Sequence, residues 1–312
     1  MTHERTAGEM NDASWPALRY ADWAPTKKTL QMVLQMLGKA RLALTPPQPE
    51  WLNAALYVDA RGFVTGAIPA GERLISMGVD VFDGVLWVSV SDGRSELITL
   101  DGRCVAEIWQ LFTAALAKLE SEVDIWPKPQ ELADTTPFAE NTHDCTFVAE
   151  DAQRFHAALS TVQGVFEEFR SSFFGRSGVQ FWWGAFDLAV LLFNGEHAAA
   201  PDDRGYIMRY DLDAQHLNAG FWPGDENAPA AFYAYLHPQP PECALAPIDP
   251  SAAAWVEQMG EWMLPYEAVR TSEDPRECLM KFLRSAYSIA GSLGGWDLGR
   301  YEYAVPQPSK RA

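Results

Sequence analysis

The sequence predicts an α+β protein made of two similar halves, each running helix, antiparallel strands, helix. Three observations carry that expectation. Apolar residues recur at helical spacing in four long segments. Short alternating apolar stretches lie between the members of each helix pair, punctuated by Asp-Gly, Gly and Pro. A polar segment rich in Pro and Thr, from Lys128 to Cys145, stands near the midpoint and reads as a connection. The repeated order suggests a tandem duplication around a shared cleft. Residues 15–135 form the expected N-terminal half and 146–298 the expected C-terminal half. Residues 1–14 are expected as a disordered tail and 299–312 as a C-terminal tail.

The first helix is expected from Thr26 to Leu44. Asp22 or Thr26 can cap it, Pro25 suits its first turn, and Leu30, Val33, Leu34 and Leu37 fall on one face. "TPPQPE" ends it. Lys39 and Arg41 suit the negative end of its dipole. "WLNAALYVDARGFVTGAIP" reads as two strands about Ala60-Arg61-Gly62. "RLISMGVDVFDGVLWVSVSDGRSELITL" reads as three strands joined by two Asp-Gly turns. A helix follows over 103–119, with Val105, Ile108, Trp109, Phe112, Leu116 and Leu119 on one side. "EVDIWP" looks like a further strand.

The second half opens with a helix over 150–174, striped by Phe155, Leu159, Val162, Phe166 and Phe169. Strands are expected at 179–183, 186–193, 217–222 and 232–236. "AWVEQMGEWMLPY" fits either a hairpin or a short helix. A last helix runs over 275–293, capped by Asp274 and stopped by Gly294-Gly295.

Composition excludes several classes of function. A net charge of −18 without a basic stripe argues against nucleic acid. No apolar run approaches twenty residues, so no membrane span is expected. The polar start "MTHERTAGEMNDAS" lacks the order of a signal peptide, and a cytoplasmic protein is expected. The four cysteines show no CxxC pair and read as free thiols. No GxSxG, GxxxxGK[ST], HExxH or GxGxxG string is present, so neither a cofactor nor a metal is expected.

The richest polar and aromatic constellation is C-terminal: Gln180, Trp182, Trp183, Asp187, Gln215, Asn218, Trp222, Tyr233 and Tyr235. Large flat rings beside amides can line a pocket for an organic molecule. They can equally be packing with satisfied amides. Asp187 and His216 are the candidate acid/base groups, though Asp187 could instead hold the fold through an arginine. His237 flanks a strand as His216 does. His156 sits mid-helix among apolar neighbours and reads as a helix residue, not a catalyst. Asn53 and Gln180 are amides at matching places in the two halves and would face the shared cleft.

"SWPAL", "LGKARLAL", "LYVDARGFVTGAIP", "FWWGAFDLA", "AGFWPG", "FYAYLHPQP" and "GEWMLPYEAVR" resemble the bacterial family known as domain of unknown function 5996, over about Trp15 to Asp297. The resemblance implies no established activity. It implies histidine where this chain has Gln31, Asn53, Gln180 and Ala214, and glutamate where it has Gln215. Imidazoles with a carboxylate suit a divalent transition metal; amides do not, so no metal ligand carries over to this chain.

The resulting expectation is a cofactor-free, metal-independent enzyme acting on a small hydrophobic or aromatic molecule, by isomerisation, cyclisation or dehydration. Asn53, Gln180, Gln215 and Asn218 would orient the substrate, and Trp182, Trp183, Trp222 and Tyr233 would line the pocket. Two alternatives stand beside it. One is a non-catalytic binding or partner subunit derived from a metal-binding family. The other is a metalloenzyme using other ligands, such as His216 and His237.

Overall fold

The chain is α+β, with two six-stranded antiparallel sheets and four long helices. The structure is a computed structural model and describes residues 14–199 and 206–302. It divides into two compact units. The first comprises the chain up to Thr161 with Gln180–Leu188 and Trp222–Ala230; the second comprises Val162–Val179, Ala189–Phe221 and the chain from Ala231 on. These bounds cut through elements that the expected halves of 15–135 and 146–298 keep whole. Of the expected tails, residues 1–13 and 303–312 lie outside the described residues, and Leu298–Tyr301 forms a short helix.

In the first unit, α1 spans Ala24–Leu44. Its N-cap is Trp23 without a side-chain bond, not Asp22 or Thr26. Thr26 Oγ1 instead donates to Asp151 and accepts from the Val148 amide. β1 (Tyr57–Asp59) and β2 (Gly62–Val64) form a hairpin, and Asp59 Oδ1 accepts from the Arg61 and Gly62 amides, each at 2.9 Å. β3 is Ile68–Ala70. β4 (Arg73–Asp80), β5 (Val85–Val90) and β6 (Ser95–Thr99) are the three strands expected around the two Asp-Gly turns. Gly84 takes φ +62°, a left-handed backbone open to glycine. The order is β1-β2-β4-β5-β6, with β3 on β4. α2 is Val105–Lys118.

"EVDIWP" forms no strand. Ile125 is buried, but the two prolines at 127 and 129 lack ladder donors, and the segment joins neither sheet. Cys104 and Cys145 are bonded as a disulfide, so only Cys243 and Cys278 carry the expected free thiols. The core holds a ring cluster. Trp23 lies 4.8 Å from Phe155, Phe63 lies 4.8 Å from Phe181, and Phe186 stacks 5.3 Å from Phe155.

α3 spans Ala149–Arg170. β7 (Gln180–Trp182), β8 (Asp187–His197), β9 (Ala214–Gly224), β10 (Pro229–His237), β11 (Ala254–Val256) and β12 (Glu261–Pro265) make the second sheet, in the order β11-β12-β10-β9-β8-β7. "AWVEQMGEWMLPY" is thus a hairpin. α4 (Tyr206–Asp211) precedes β9, and α5 (Tyr266–Arg270) follows β12. α6 (Pro275–Ser292) is capped by Asp274, which accepts from the Glu277 amide at 3.0 Å; α7 is Leu298–Tyr301. In the second unit, Phe221, Phe232 and Tyr266 pack with centroids 5.1–6.0 Å apart, and α6 buries Leu279, Phe282, Leu283 and Ala286. Helix, strands, helix thus recurs, but the two strand orders differ, so a repeated rhythm is not a repeated topology.

Candidate functional site

Two polar clusters lie within otherwise apolar packing, one in each unit. The first belongs to α1. Lys27, Gln31, Gln35 and Lys39 recur every four residues, so they share one side of the helix, and all four are buried. Gln31 Nε2 donates to the Gly184 carbonyl at 2.8 Å, and Lys27 Nζ donates to Gln31 Oε1 at 3.3 Å. Gln35 and the Gln130 backbone exchange two bonds of 2.8 Å. Lys39 Nζ donates to Gln130 Oε1 at 2.5 Å and lies 5.3 Å over the Trp183 ring. Each member of this stripe thus has a partner inside the protein. Lys39 and Arg41 therefore do more than complement the helix dipole: the Arg41 guanidinium donates to the Asn53 carbonyl and to Tyr57 Oη.

Burial lowers both lysines from their ordinary range to about 8. Each holds its proton less tightly folded than unfolded, so the cost of burying the charge is fully present below about pH 8 and fades toward pH 10.5. For Lys27 the shift is worth at most about 3 kcal/mol. Wild-type stability minus that of Lys27→Met should therefore climb between pH 8 and 10. Urea midpoints at the two pH values read the difference, and a constant gap would contradict the buried-charge account.

Of the site residues expected from sequence, Asn53, Gln180, Trp182, Trp183, Asp187 and Trp222 belong to the first unit. Trp183 donates its indole N–H to the Ala54 carbonyl at 2.8 Å. Asn53 closes the turn after α1: its Oδ1 accepts from the Gln48 amide at 3.1 Å, and its Nδ2 meets Thr45 Oγ1 at 3.4 Å. Leu56 pairs with Phe181 in an isolated antiparallel bridge, which puts Gln180 beside Tyr57, whereas Asn53 lies in the turn that precedes the bridge. Gln180 is 4% exposed, and its Oε1 has no partner. Trp182 is half-buried in β7 and Trp222 half-buried in β9. Asp187 is buried at the start of β8. Phe186, before it, is wholly buried with φ +66°, a conformation that side chains tolerate only when packing over-determines it. His156 is buried and donates from Nε2 to the Asp59 carbonyl at 2.7 Å, a structural role.

The second cluster lies on one face of the second sheet. His216, Asn218 and Gly220 alternate along β9, and Tyr233, Tyr235 and His237 along β10, so each set points one way. The two sets touch. A Cβ on Gly220 would sit 2.2 Å from the Tyr233 ring. Asn218 Nδ2 donates to Tyr235 Oη at 2.9 Å, and the His216 and His237 rings are 5.5 Å apart. Tyr233 pairs with Met263 on β12, so the next position on that face, Glu261, stands beside Tyr235. Gln215 points the other way along β9, accepts from Asn194 Nδ2 at 2.8 Å, and stays outside the cluster.

Tautomers follow from the carbonyls. His216 Nδ1 meets the Ala214 carbonyl at 3.0 Å, and His237 Nε2 meets the Leu212 carbonyl at 2.9 Å. A carbonyl only accepts, so those nitrogens carry the protons and the others present lone pairs. His216 is 1% exposed, and its Nε2 has no partner; neither has Asn218 Oδ1. Burial, then the neighbouring His237, lowers His216 to about 4, and burial also lowers His237. Both are neutral at physiological pH. Burial alone raises the Glu261 carboxyl to about 7. Nothing in "GEWMLPY" marks Glu261, a carboxylate that loses water only when β10 lies beside it.

The profile of a family of unknown function, DUF5996, matches residues 15–303. The chain belongs to this family. No curated protein and no solved structure matches it. In this DUF5996 chain one group of three potential metal donors lies within reach of a common point among the described residues: Asp134, His143 and Asp144, in the connection after α2. His143 Nε2 is 2.7 Å from Asp134 Oδ2 and 3.7 Å from Asp144 Oδ2. His216 and His237 join no such group. No helix among the described residues is long and apolar enough to cross a membrane.

Proposed function

We propose that this chain binds a small aromatic or hydrophobic molecule on the face of β9, β10 and β12 and moves a proton on it without a cofactor, in an isomerisation or dehydration. One observation carries the proposal: the lone pair of His216 Nε2 is buried and meets no donor. An orphaned buried acceptor costs about 1–3 kcal/mol, and a bound molecule's O–H or N–H would remove that cost. Such acceptors, held away from water, orient a substrate and need no rearrangement as charge develops.

Three sets of residues divide the work. His216 and Asn218 fix the substrate's polar edge. Tyr233 and Tyr235, with ring centroids 6.4 Å apart and nearly parallel, give an apolar rest for a flat molecule. Glu261 shuttles the proton, since a carboxyl that titrates near neutrality is populated in both forms at working pH. His216 with its lowered basicity suits accepting a hydrogen bond better than abstracting a proton, so the acid/base duty moves to Glu261. Asn53, Trp183 and Gln215 are already engaged in local bonds and take no part in the chemistry.

The test is a screen of small aromatics by melting temperature at pH 7, followed by incubation of the hits in deuterated buffer. Binding to the native state raises the melting temperature by mass action. At least one hit should gain deuterium at carbon, or lose water, only when the protein is present. Hits that bind without any proton exchange or turnover would reduce this chain to a binding protein. The absence of any hit would remove the site.

A further inference from the structure

We infer that the ligand of the β9–β10–β12 face is an uncharged, ring-bearing hydrogen-bond donor, a phenol or aryl amine, and that carboxylates and phosphates are excluded; this rests on the site proposed above. The inference comes from what the side chains have left to offer. The N–H of His216 is spent on Ala214, that of His237 on Leu212, and Asn218 Nδ2 engages Tyr235 Oη. What remains on these residues is His216 Nε2 and Asn218 Oδ1, both acceptors. No lysine or arginine belongs to the set, and its one carboxyl, Glu261, offers no positive charge in either protonation form. Over His216 Nε2 and Asn218 Oδ1 an anion would meet two lone pairs, and the tyrosine hydroxyls on this face would offset only part of the hydration it loses. A donor would meet a matching lone pair at a side chain 1% exposed.

Strand geometry sets the ligand's size. His216 and Asn218 are two residues apart on one strand, about 7 Å, and neighbouring strands lie about 4.8 Å apart. A fused two-ring aromatic covers that footprint, with its hydroxyl or amine over His216 and its rings against Tyr235 and Tyr233. A site built to accept from an O–H rejects the analogue lacking it far more strongly than a purely apolar site rejects a missing methylene, because its own polar group is then left unpaired.

The experiment compares 2-naphthol, 2-methoxynaphthalene and 2-naphthoate on the full chain, by melting temperature, by titration of tyrosine and tryptophan fluorescence, and by the 15N shifts of labelled histidines. 2-Naphthol should bind at least tenfold more tightly than its methyl ether, 2-naphthoate should not bind, and only 2-naphthol should move the His216 Nε2 resonance. His216→Phe keeps a ring but removes the acceptor, and should erase the preference for naphthol over its ether. If that variant does not fold, the shift of the Nε2 resonance in the wild type carries the same information. Equal binding of the three compounds, sensitive to Tyr235→Ala, would overturn the donor rule while leaving the aromatic site standing. Tighter binding of 2-naphthoate would also overturn it. If none of the three binds at millimolar concentration, the donor rule fails together with the site.

Discussion

Gly38→Ala is expected to destabilise the first unit by about 3 kcal/mol, although helix propensity alone would make it stabilising by about 1 kcal/mol. Gly38 lies inside α1, where alanine is ordinarily the better residue. A Cβ there would fall 2.1 Å from Cδ1 and Nε1 of Trp183, whereas heavy atoms in contact prefer about 3.5–4.0 Å. The indole has little room to retreat. Its N–H is bound to the Ala54 carbonyl at 2.8 Å, and Lys39 Nζ covers its face. Overpacking costs roughly 1–3 kcal/mol, and breaking a buried hydrogen bond adds a similar amount. The clash therefore wins over propensity. Calorimetry reads the result as a fall in melting temperature. In Gly38→Ala/Trp183→Leu the overlap is gone, so the double variant should be less damaged than the two single losses added, by more than about 1 kcal/mol of coupling. A rise in melting temperature for Gly38→Ala would show that the close approach of helix and indole does not hold this unit together.

The same glycine shows what sequence reading reaches. "LGKARLAL" reads plainly as helix from its spacing, and Gly38 is an anomaly within it, but the ring that requires the glycine lies 145 residues away. Local signals did well where local chemistry decides: Asp274 as a cap, the Asp-Gly turns, Pro25 in the first turn of α1. They failed where a distant partner decides. "EVDIWP" alternates like a strand, but neither sheet takes it in. The apolar spacing of α1 marks a single face, yet the helix is buried nearly all round. Lys27, Gln31, Gln35 and Lys39 therefore had to find partners inside the protein, and Gln130 and Gly184 supply them. Cys104 and Cys145 are 41 residues apart, and nothing between them announces the bond.

The candidate site divides in the same way. His216, Asn218 and Tyr233 stood out as polar or ring-bearing residues among strand signals, and alternation along β9 and β10 brings them to one face. Asn53 and Gln180 hold similar places after a helix, but their surroundings differ. Asn53 caps a turn, while Gln180 keeps an unpartnered carbonyl oxygen. A carboxamide's role depends on which neighbours reach it, and a sequence does not print those neighbours.

Glu261→Gln is expected to lower turnover by about 10²- to 10⁴-fold while making the protein more stable at pH 8. The two effects share one cause. Burial raises the carboxyl to about 7 from an ordinary value of 4.5. Folded protein therefore binds more protons than unfolded protein between about pH 4.5 and 7, so stability falls as pH rises through that window. Above pH 7 the cost of holding the charged form is complete, at most about 3 kcal/mol. Glutamine keeps the shape and sheds the charge. The variant should match wild type near pH 4, where both side chains are neutral, and exceed it at pH 8. Melting temperatures at the two pH values measure the gain. Rates across pH 5–9 measure the loss, since the wild-type profile should turn near 7 and the variant's should not. A glutamine variant with full activity would remove Glu261 as the proton carrier even if its stability rose as expected. A variant that lost activity without gaining stability at pH 8 would show instead that the carboxylate has a counter-charge in the folded protein. These two outcomes separate the catalytic claim from the electrostatic one, because the first depends on a proton delivered to substrate and the second only on water removed from a carboxyl.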